Sequence, residues 1–300
     1  MTQIGIDFGG TKIEAAALDQ AGDFRTRQRV PTPDNYADAI SAVVDLVARV
    51  EGEVGPARSI GFGVPGSVSP RTGVMRNANT TYLNGTSFQS DLEHALGRQI
   101  RLDNDANCLA LSEARDGAAA GARVTFAIII GTGCGGGLVV DGSLVSGANG
   151  IAGEWGHNPL PWPKGNELPA PPCWCGLEGC IEKWVSGTGF RDDYARRTGE
   201  RPKGDEIIAR ARKGEAEAAA ALDDYIDRLG RGMAAIANIL DPDCFVMGGG
   251  MSNVTEIYDN LPAVIDRYTF SDGWDAKIVP AKWGDSSGVR GAAHLWPYES

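Results

Sequence analysis

The sequence predicts an α/β protein of two related domains that face each other across a cleft. Three observations predict it. At 300 residues the chain exceeds the length at which one hydrophobic core usually keeps growing, so two domains are expected. A strand–glycine turn–strand unit occurs twice. Strands and helical stretches then alternate after each unit.

The first unit opens the chain. Ile4-Gly5-Ile6-Asp7-Phe8 is apolar with a single acid, Gly9-Gly10-Thr11-Lys12 turns, and Ile13-Glu14-Ala15-Ala16-Ala17-Leu18 returns. Asp19–Asp23 turns the chain into a third strand near Phe24–Val30. A helix is expected from about Asn35 to Glu51, because Ile40, Val43, Val44, Leu46, Val47 and Val50 recur at helical spacing. Ser59–Val64 reads as a strand ending at Pro65-Gly66, and Gln99–Leu102 as another ending in Asp103-Asn104-Asp105. Ala106 to about Ala120 is alanine-rich and helical.

The second unit repeats the first: strand Phe126–Ile130, glycine turn Gly131–Gly137, return strand Leu138–Val140. Ile6 and Ile130 hold matching points. A helix near Glu215–Leu240 then leads to the strand Cys244–Met247 and the turn Gly248-Gly249-Gly250. A repeat on this scale is a domain duplication, not a solenoid.

Composition narrows the class. An apolar share of 42% with 22% charged residues is that of a globular protein, and no window approaches the ~18 unbroken apolar residues of a membrane helix. The N-terminus lacks the basic start and apolar run of a signal peptide, so a cytoplasmic protein is expected. A net charge of −11 without a long basic block argues against nucleic acid as the main partner. A phosphorylated ligand stays open, because backbone N–H groups, a few cations and metal ions hold it locally.

The glycine turns suit such a ligand. Glycine lets backbone N–H groups approach phosphate oxygens, and Thr11 and Thr132 add hydroxyl donors. Three turns in a duplicated frame, Gly9-Gly10-Thr11-Lys12, Gly131-Thr132-Gly133 and Gly248-Gly249-Gly250, could grip one nucleotide from two sides. Asp7, an acid at the end of an apolar strand, needs a partner to be buried. The preferred reading is that it helps hold Mg²⁺ on ATP phosphates; the alternative is an acceptor for its own turn. Asp103-Asn104-Asp105 supplies more polar groups than one helix cap needs. Asp105 near a helix N-terminus stays ionised and could take a proton from a substrate hydroxyl, while Asn104 fixes the neighbouring one.

Cysteine usage adds a further feature. Cys173-Trp174-Cys175-Gly176-Leu177-Glu178-Gly179-Cys180 holds three of the six cysteines. A reducing cytoplasm disfavours a disulfide, which leaves metal or chance. Three thiolates leave a tetrahedral ion one ligand short. Of the three histidines, His157 is preferred as the fourth ligand, with a hydrogen-bonded loop histidine as the alternative. Cys108, Cys134 and Cys244 read as small core residues. Trp155, Trp162, Trp174 and Trp184 surround the cysteine segment and are expected to pack about it, with Trp155 as an alternative sugar-stacking platform.

These residues resemble the ROK family of sugar kinases over essentially the whole chain. The resemblance rests on Ile6–Lys12, Asn104-Asp105-Ala106-Asn107, Gly131-Thr132-Gly133, Gly153-Glu154-Trp155-Gly156-His157 and Cys173-x-Cys-x4-Cys180-x-Glu182. Glu154–Trp162 and Gly284-Asp285-Ser286-Ser287-Gly288 look most like the bacterial fructokinases among them. The resemblance implies an actin/hexokinase-like (ribonuclease H-like) fold binding ATP and a hexose. It implies Asp105 as general base, with Asn104, Glu154, His157, Glu182 and Asn79 around the sugar. Structural zinc on His157, Cys173, Cys175 and Cys180, Mg²⁺ with ATP at Asp7, and a homodimer are implied too.

The expected domains are 1–117, with a C-terminal helix 288–300 packing back on it, and 118–287, carrying the zinc loop. The expected reaction is phosphorylation of D-fructose at C6, with mannose, glucose or an N-acetylhexosamine as alternative substrates. A sugar-responsive regulator without kinase activity is the rival class. It would need a DNA-reading domain before the first hairpin, and the first strand begins at Ile4.

Overall fold

A computed structural model describes residues 2–297. Twelve strands and nine α-helices are found among them. The first sheet contains β1 (Gln3–Phe8), β2 (Lys12–Leu18), β3 (Phe24–Pro31) and β4 (Ser59–Val64), with α1 (Tyr36–Val54) between the last two. A two-strand hairpin, β5 (Ser67–Val68) and β6 (Met75–Arg76), and α2 (Phe88–Leu96) precede β7 (Arg101–Asn104) and α3 (Asp105–Arg115). Next come β8 (Val124–Ile130), β9 (Cys134–Val140) and β10 (Ser143–Leu144). Four helices follow: α4 (Glu182–Val185), α5 (Gly187–Thr198), α6 (Gly204–Arg212) and α7 (Ala216–Leu240). The chain finishes with β11 (Cys244–Gly248), α8 (Thr255–Tyr268), β12 (Lys277–Pro280) and α9 (Ser287–His294).

The duplication is visible in the sheets. One has the order β3-β2-β1-β4-β7 and the other β10-β9-β8-β11-β12. In the first, antiparallel pairs join β1, β2 and β3 and parallel pairs add β4 and β7; in the second, β9 and β10 pair antiparallel and β8, β11 and β12 pair parallel. Two compact units result. Unit 1 comprises 1–121, 137–152 and 281–300, and unit 2 comprises 122–136 and 153–280. Unit 1 thus takes in 137–152, a segment the sequence reading assigned to the C-terminal domain.

In unit 1 the core is Ile4, Ile6, Phe8, Phe62 and Val64 of the sheet against Val43, Leu46, Val47 and Val50 of α1. This is the stripe the helical spacing predicted, and Asn35 caps the helix by accepting the Asp38 N–H. On its other side α9 comes unusually close. A Cβ on Gly5 would lie 1.9 Å from the Val289 carbonyl oxygen, and one on Gly291 1.8 Å from that of Cys108. Only glycine permits this approach, which places β1, α3 and α9 together around Asp7.

Some boundaries differ from expectation. The helix expected to run to Ala120 stops at Arg115, because the Glu113 carboxylate accepts the Ala118 N–H at 2.8 Å and turns the chain away. The strand expected at 99–102 is displaced to Arg101–Asn104. Gly135–Gly137, expected in a turn, already belong to β9, since the Gly131 N–H closes a tight turn onto the Gly133 carbonyl at 3.0 Å. The C-terminal helix ends at His294; residues 298–300 of the expected span lie outside the described residues. No described helix is long and apolar enough to cross a membrane.

Candidate active site

In unit 1 the candidate residues gather at the strand ends. Asp7 pairs with Glu14 of β2 and Gly63 of β4 in register, and a Cβ on Gly288 would lie 3.1 Å from its Oδ2. Burial, followed by the charges of Asp105 and Glu14, pushes its carboxyl from 3.8 up to about 6. Glu14 is itself buried and neutralised by Arg27 and Arg29. A half-buried carboxylate whose ionisation its surroundings oppose is a group whose charged form a divalent cation would stabilise.

The following turn is well braced. Gly9 N–H donates to the Lys12 carbonyl at 3.0 Å, Thr32 N–H to that of Thr11 at 3.1 Å, and Thr32 Oγ1 to that of Gly9 at 2.7 Å. Gly10 and Thr11 are exposed at its tip. Thr80 Oγ1 lies 3.7 Å from where a Cβ on Gly10 would be, and it donates to Asn79 Oδ1 at 3.5 Å. Asn79 itself is exposed.

At the junction of β7 and α3 the roles divide. Asn104 is the cap, accepting the Asn107 N–H at 2.7 Å through Oδ1, which leaves its Nδ2 to reach a ligand hydroxyl. Asp103 is internal, accepting from Asn104 N–H at 2.8 Å and Asn107 Nδ2 at 2.7 Å. Asp105 needs no capping duty. It is exposed at the first turn of α3, with Oδ1 accepting the Ala106 N–H at 2.8 Å, where the helix dipole favours its charge.

In unit 2 the turn Gly131–Gly133 meets the start of α5, whose Gly187 N–H donates to the Gly131 carbonyl at 2.8 Å. Gly249, with φ 83°, packs onto Ile130, where a Cβ would lie 2.4 Å from a carbonyl oxygen. Gly248 is buried in the strand end behind it. A cavity of about 710 Å³ opens here, lined by Gly131, Thr132, Gly187, Thr188, Arg191, Asp205, Arg212, Gly250 and Asn253 among others. Gly131, Thr132 and Gly250 were expected at such a site. The α5 and α6 residues were not, although Ser186-Gly187-Thr188-Gly189, a glycine-rich helix start capped by Ser186, carried a readable signal.

The cysteine segment forms a compact cluster. Leu160 N–H binds the Gly179 carbonyl at 2.9 Å, Ile181 N–H that of Asn158 at 2.9 Å, and Cys173 N–H that of Leu177 at 2.8 Å. Gly176 (φ 90°) and Gly179 (φ 74°) supply turns that other residues resist. The result brings one ligand atom each from His157, Cys173, Cys175 and Cys180 within 4.8 Å of one another. His157 Nδ1 lies 3.8 Å from Cys173 Sγ, and Cys175 Sγ 3.5 Å from Cys180 Sγ. Tetrahedral zinc with Zn–S bonds of about 2.3 Å needs sulfur separations of roughly 3.8 Å, so the donor set fits. The Leu177 N–H draws the exposed Cys175 thiol from 9.0 down to about 7, whereas burial raises Cys180 to about 12.

Glu154 is exposed beside this cluster. Trp155 is 4% exposed and its Nε1 donates to the Gly135 carbonyl at 3.1 Å. It therefore packs the core of unit 2 and offers no platform to a sugar. Glu182 accepts from Trp174 Nε1 at 2.7 Å and from the Cys134 N–H at 3.0 Å. Of the remaining cysteines, Cys108 and Cys244 are buried as expected, and Cys134 is half-buried.

The ROK family description matches residues 3–299. The chain belongs to the ROK family. Among its relatives, a protein named N-acetyl-D-glucosamine kinase from Aliivibrio fischeri is 38% identical over 296 residues, covering 97% of this chain and 98% of that protein. Another of that name from Photobacterium profundum is 40% identical over 296 residues, with the same coverage. Solved structures agree in fold. A ROK hexokinase from Thermus thermophilus has a TM-score of 0.87 at 32% identity, covering 98% of this chain and 97% of its own. A ROK family glucokinase from Streptomyces griseus, in complex with glucose and AMPPNP, has a TM-score of 0.78 at 28% identity, covering 98% of this chain and 99% of its own. This ROK protein accordingly has the two-domain hexokinase-like α/β fold.

Proposed function

We propose that this ROK protein is an ATP-dependent kinase that phosphorylates N-acetyl-D-glucosamine at its C6 hydroxyl. The observation that carries the sugar is the shared name of relatives that span nearly the whole chain. Fructose, expected from the segments Glu154–Trp162 and Gly284–Gly288, has weaker support and gives way to what was the alternative. Mannose and glucose are the next competitors.

The chain's own residues supply the steps. Asp105, freed from capping, accepts the proton of the C6 hydroxyl as phosphoryl transfer proceeds, and Asn104 Nδ2 donates to a neighbouring hydroxyl. Asn79, Glu154, His157 and Glu182 are proposed to complete the sugar side. Backbone N–H groups and hydroxyls of Gly9–Lys12, Gly131–Gly133 and Gly248–Gly250 orient the phosphates, and the cavity beside α5 takes the nucleoside. Mg²⁺, when bound with ATP, neutralises phosphate charge, and Asp7 would help hold it. His157, Cys173, Cys175 and Cys180 would hold zinc; with three thiolates and one imidazole such a site is closed and structural. A cytoplasmic homodimer completes the proposal.

A coupled assay with MgATP across N-acetylglucosamine, glucose, mannose and fructose tests it. N-acetylglucosamine 6-phosphate is the expected product. A kcat/KM about tenfold higher for another hexose, a difference of about 1.4 kcal/mol, would reassign the substrate. Sugar binding without any ADP release would favour the regulator class.

A further inference from the structure

We infer that Trp174 and Glu182 form a positioning pair through which the cysteine loop sets the Gly131–Gly133 turn, so that this loop governs nucleotide affinity. The inference rests on the proposed assignment of that turn to the ATP phosphates, and it gives Glu182 a role besides contact with the sugar.

The connection is continuous in unit 2. Trp174 lies between Cys173 and Cys175, and its side chain is 64% exposed. Burial therefore does not hold the ring in place. Two contacts do: the Nε1–H donated to Glu182 Oε1 at 2.7 Å, and an edge-on approach to the His157 ring at 4.9 Å and 87°. A hydrogen bond to a charged acceptor is stronger than a neutral one, so it orients a ring that solvent would otherwise leave free.

Glu182 opens α4 two residues after Cys180, and its other oxygen is committed elsewhere. Oε2 accepts the N–H of Cys134, the residue that closes the turn, at 3.0 Å. It also lies 2.9 Å from where a Cβ on Gly133 would stand, so the carboxylate rests against the turn itself. The opposite end of the turn is held by Gly187 N–H, five residues further along the same segment. Both ends of Gly131–Gly133 thus depend on the segment that leaves the cysteine loop. The Thr132 and Gly133 N–H groups can serve phosphate oxygens only in the orientation this bracing gives them. A carboxylate has about four lone-pair sites, so bracing the turn is compatible with a sugar contact.

Two variants separate the roles. Trp174→Phe keeps an aromatic edge against His157 and deletes only the donor. Glu182→Gln leaves one carbonyl acceptor where two are needed. Titration calorimetry with Mg²⁺ and AMPPNP in the absence of sugar reads nucleotide affinity directly. Trp174→Phe should weaken binding about threefold to tenfold, and Glu182→Gln about tenfold or more. Melting temperature and metal content should stay at the parent values. The inference is overturned if both variants bind AMPPNP within about twofold of the parent, the uncertainty of such a hydrogen-bond effect, whether or not the sugar KM moves. A parent that phosphorylates sugar while its variants bind nucleotide unchanged defeats the inference alone; a parent that binds no nucleotide defeats the kinase reading with it.

Discussion

Replacing Asp7 with Asn should make the free protein more stable at neutral pH while disabling it as a kinase. Burial comes first among the causes that raise the Asp7 carboxyl from 3.8 to about 6, followed by the charges of Asp105 and Glu14. A shift of about 2 units corresponds to roughly 3 kcal/mol between protonation states. The sign follows from proton uptake. Between pH 3.8 and 6 the folded protein binds more protons than the unfolded chain, so stability falls as pH rises through that window. Above pH 6 the whole cost of holding a charged Asp7 is present. Asp7→Asn removes it without changing shape, and at pH 7.5 should gain up to about 3 kcal/mol, or several degrees in Tm. At pH 4 the two proteins should melt together. MgATP should raise the Tm of the parent and leave that of Asp7→Asn much less affected. Thermal melts at both pH values, with and without MgATP, are the assay. A variant that melts no higher than the parent at pH 7.5 and responds equally to MgATP would refute both the buried charge and its metal role.

Asp105→Asn keeps the side-chain oxygen that accepts the Ala106 N–H but removes the proton acceptor, so kcat should fall about 10²–10⁴-fold with Tm little changed. Turnover close to that of the parent would leave Asp105 as a mere first-turn residue of α3. Mass spectrometry should find zinc in the parent and none in Cys175→Ala, which should also melt at a lower temperature; a metal-free parent with full activity would dispose of the zinc site. Glu167→Ala removes the acceptor that Arg228 Nε reaches at 2.9 Å and that Arg231 shares. With both guanidinium groups buried, it should cost about 3–5 kcal/mol in denaturant unfolding. A loss under about 1 kcal/mol would mean that Asp193 and Asp227 suffice.

Much of this protein was readable from local pattern. Ile4–Phe8, the glycine turn after it and the apolar stripe of α1 announce themselves because period and turn chemistry depend on neighbours in sequence. The duplication was equally legible, since a repeated hairpin motif produces a repeated sheet order. Asn104-Asp105 marked a helix start, and three close cysteines asked for a fourth ligand that His157 could supply.

Tertiary structure decided what depends on distant contacts. Whether Asn104 or Asp105 caps α3 turned on which side chain faces the Asn107 N–H. Trp155 belongs to the core because Gly136 and Gly232 leave room for its ring, a fact that no spacing encodes. The acceptor shared by the buried Arg228 and Arg231, Glu167, lies more than sixty residues earlier in the sequence. The family resemblance placed Glu182 only beside the sugar. Only the chain's return from the cysteine loop sets its carboxylate between Trp174 and the Cys134 N–H, because hydrogen bonds are chosen by proximity in space, which local sequence cannot specify.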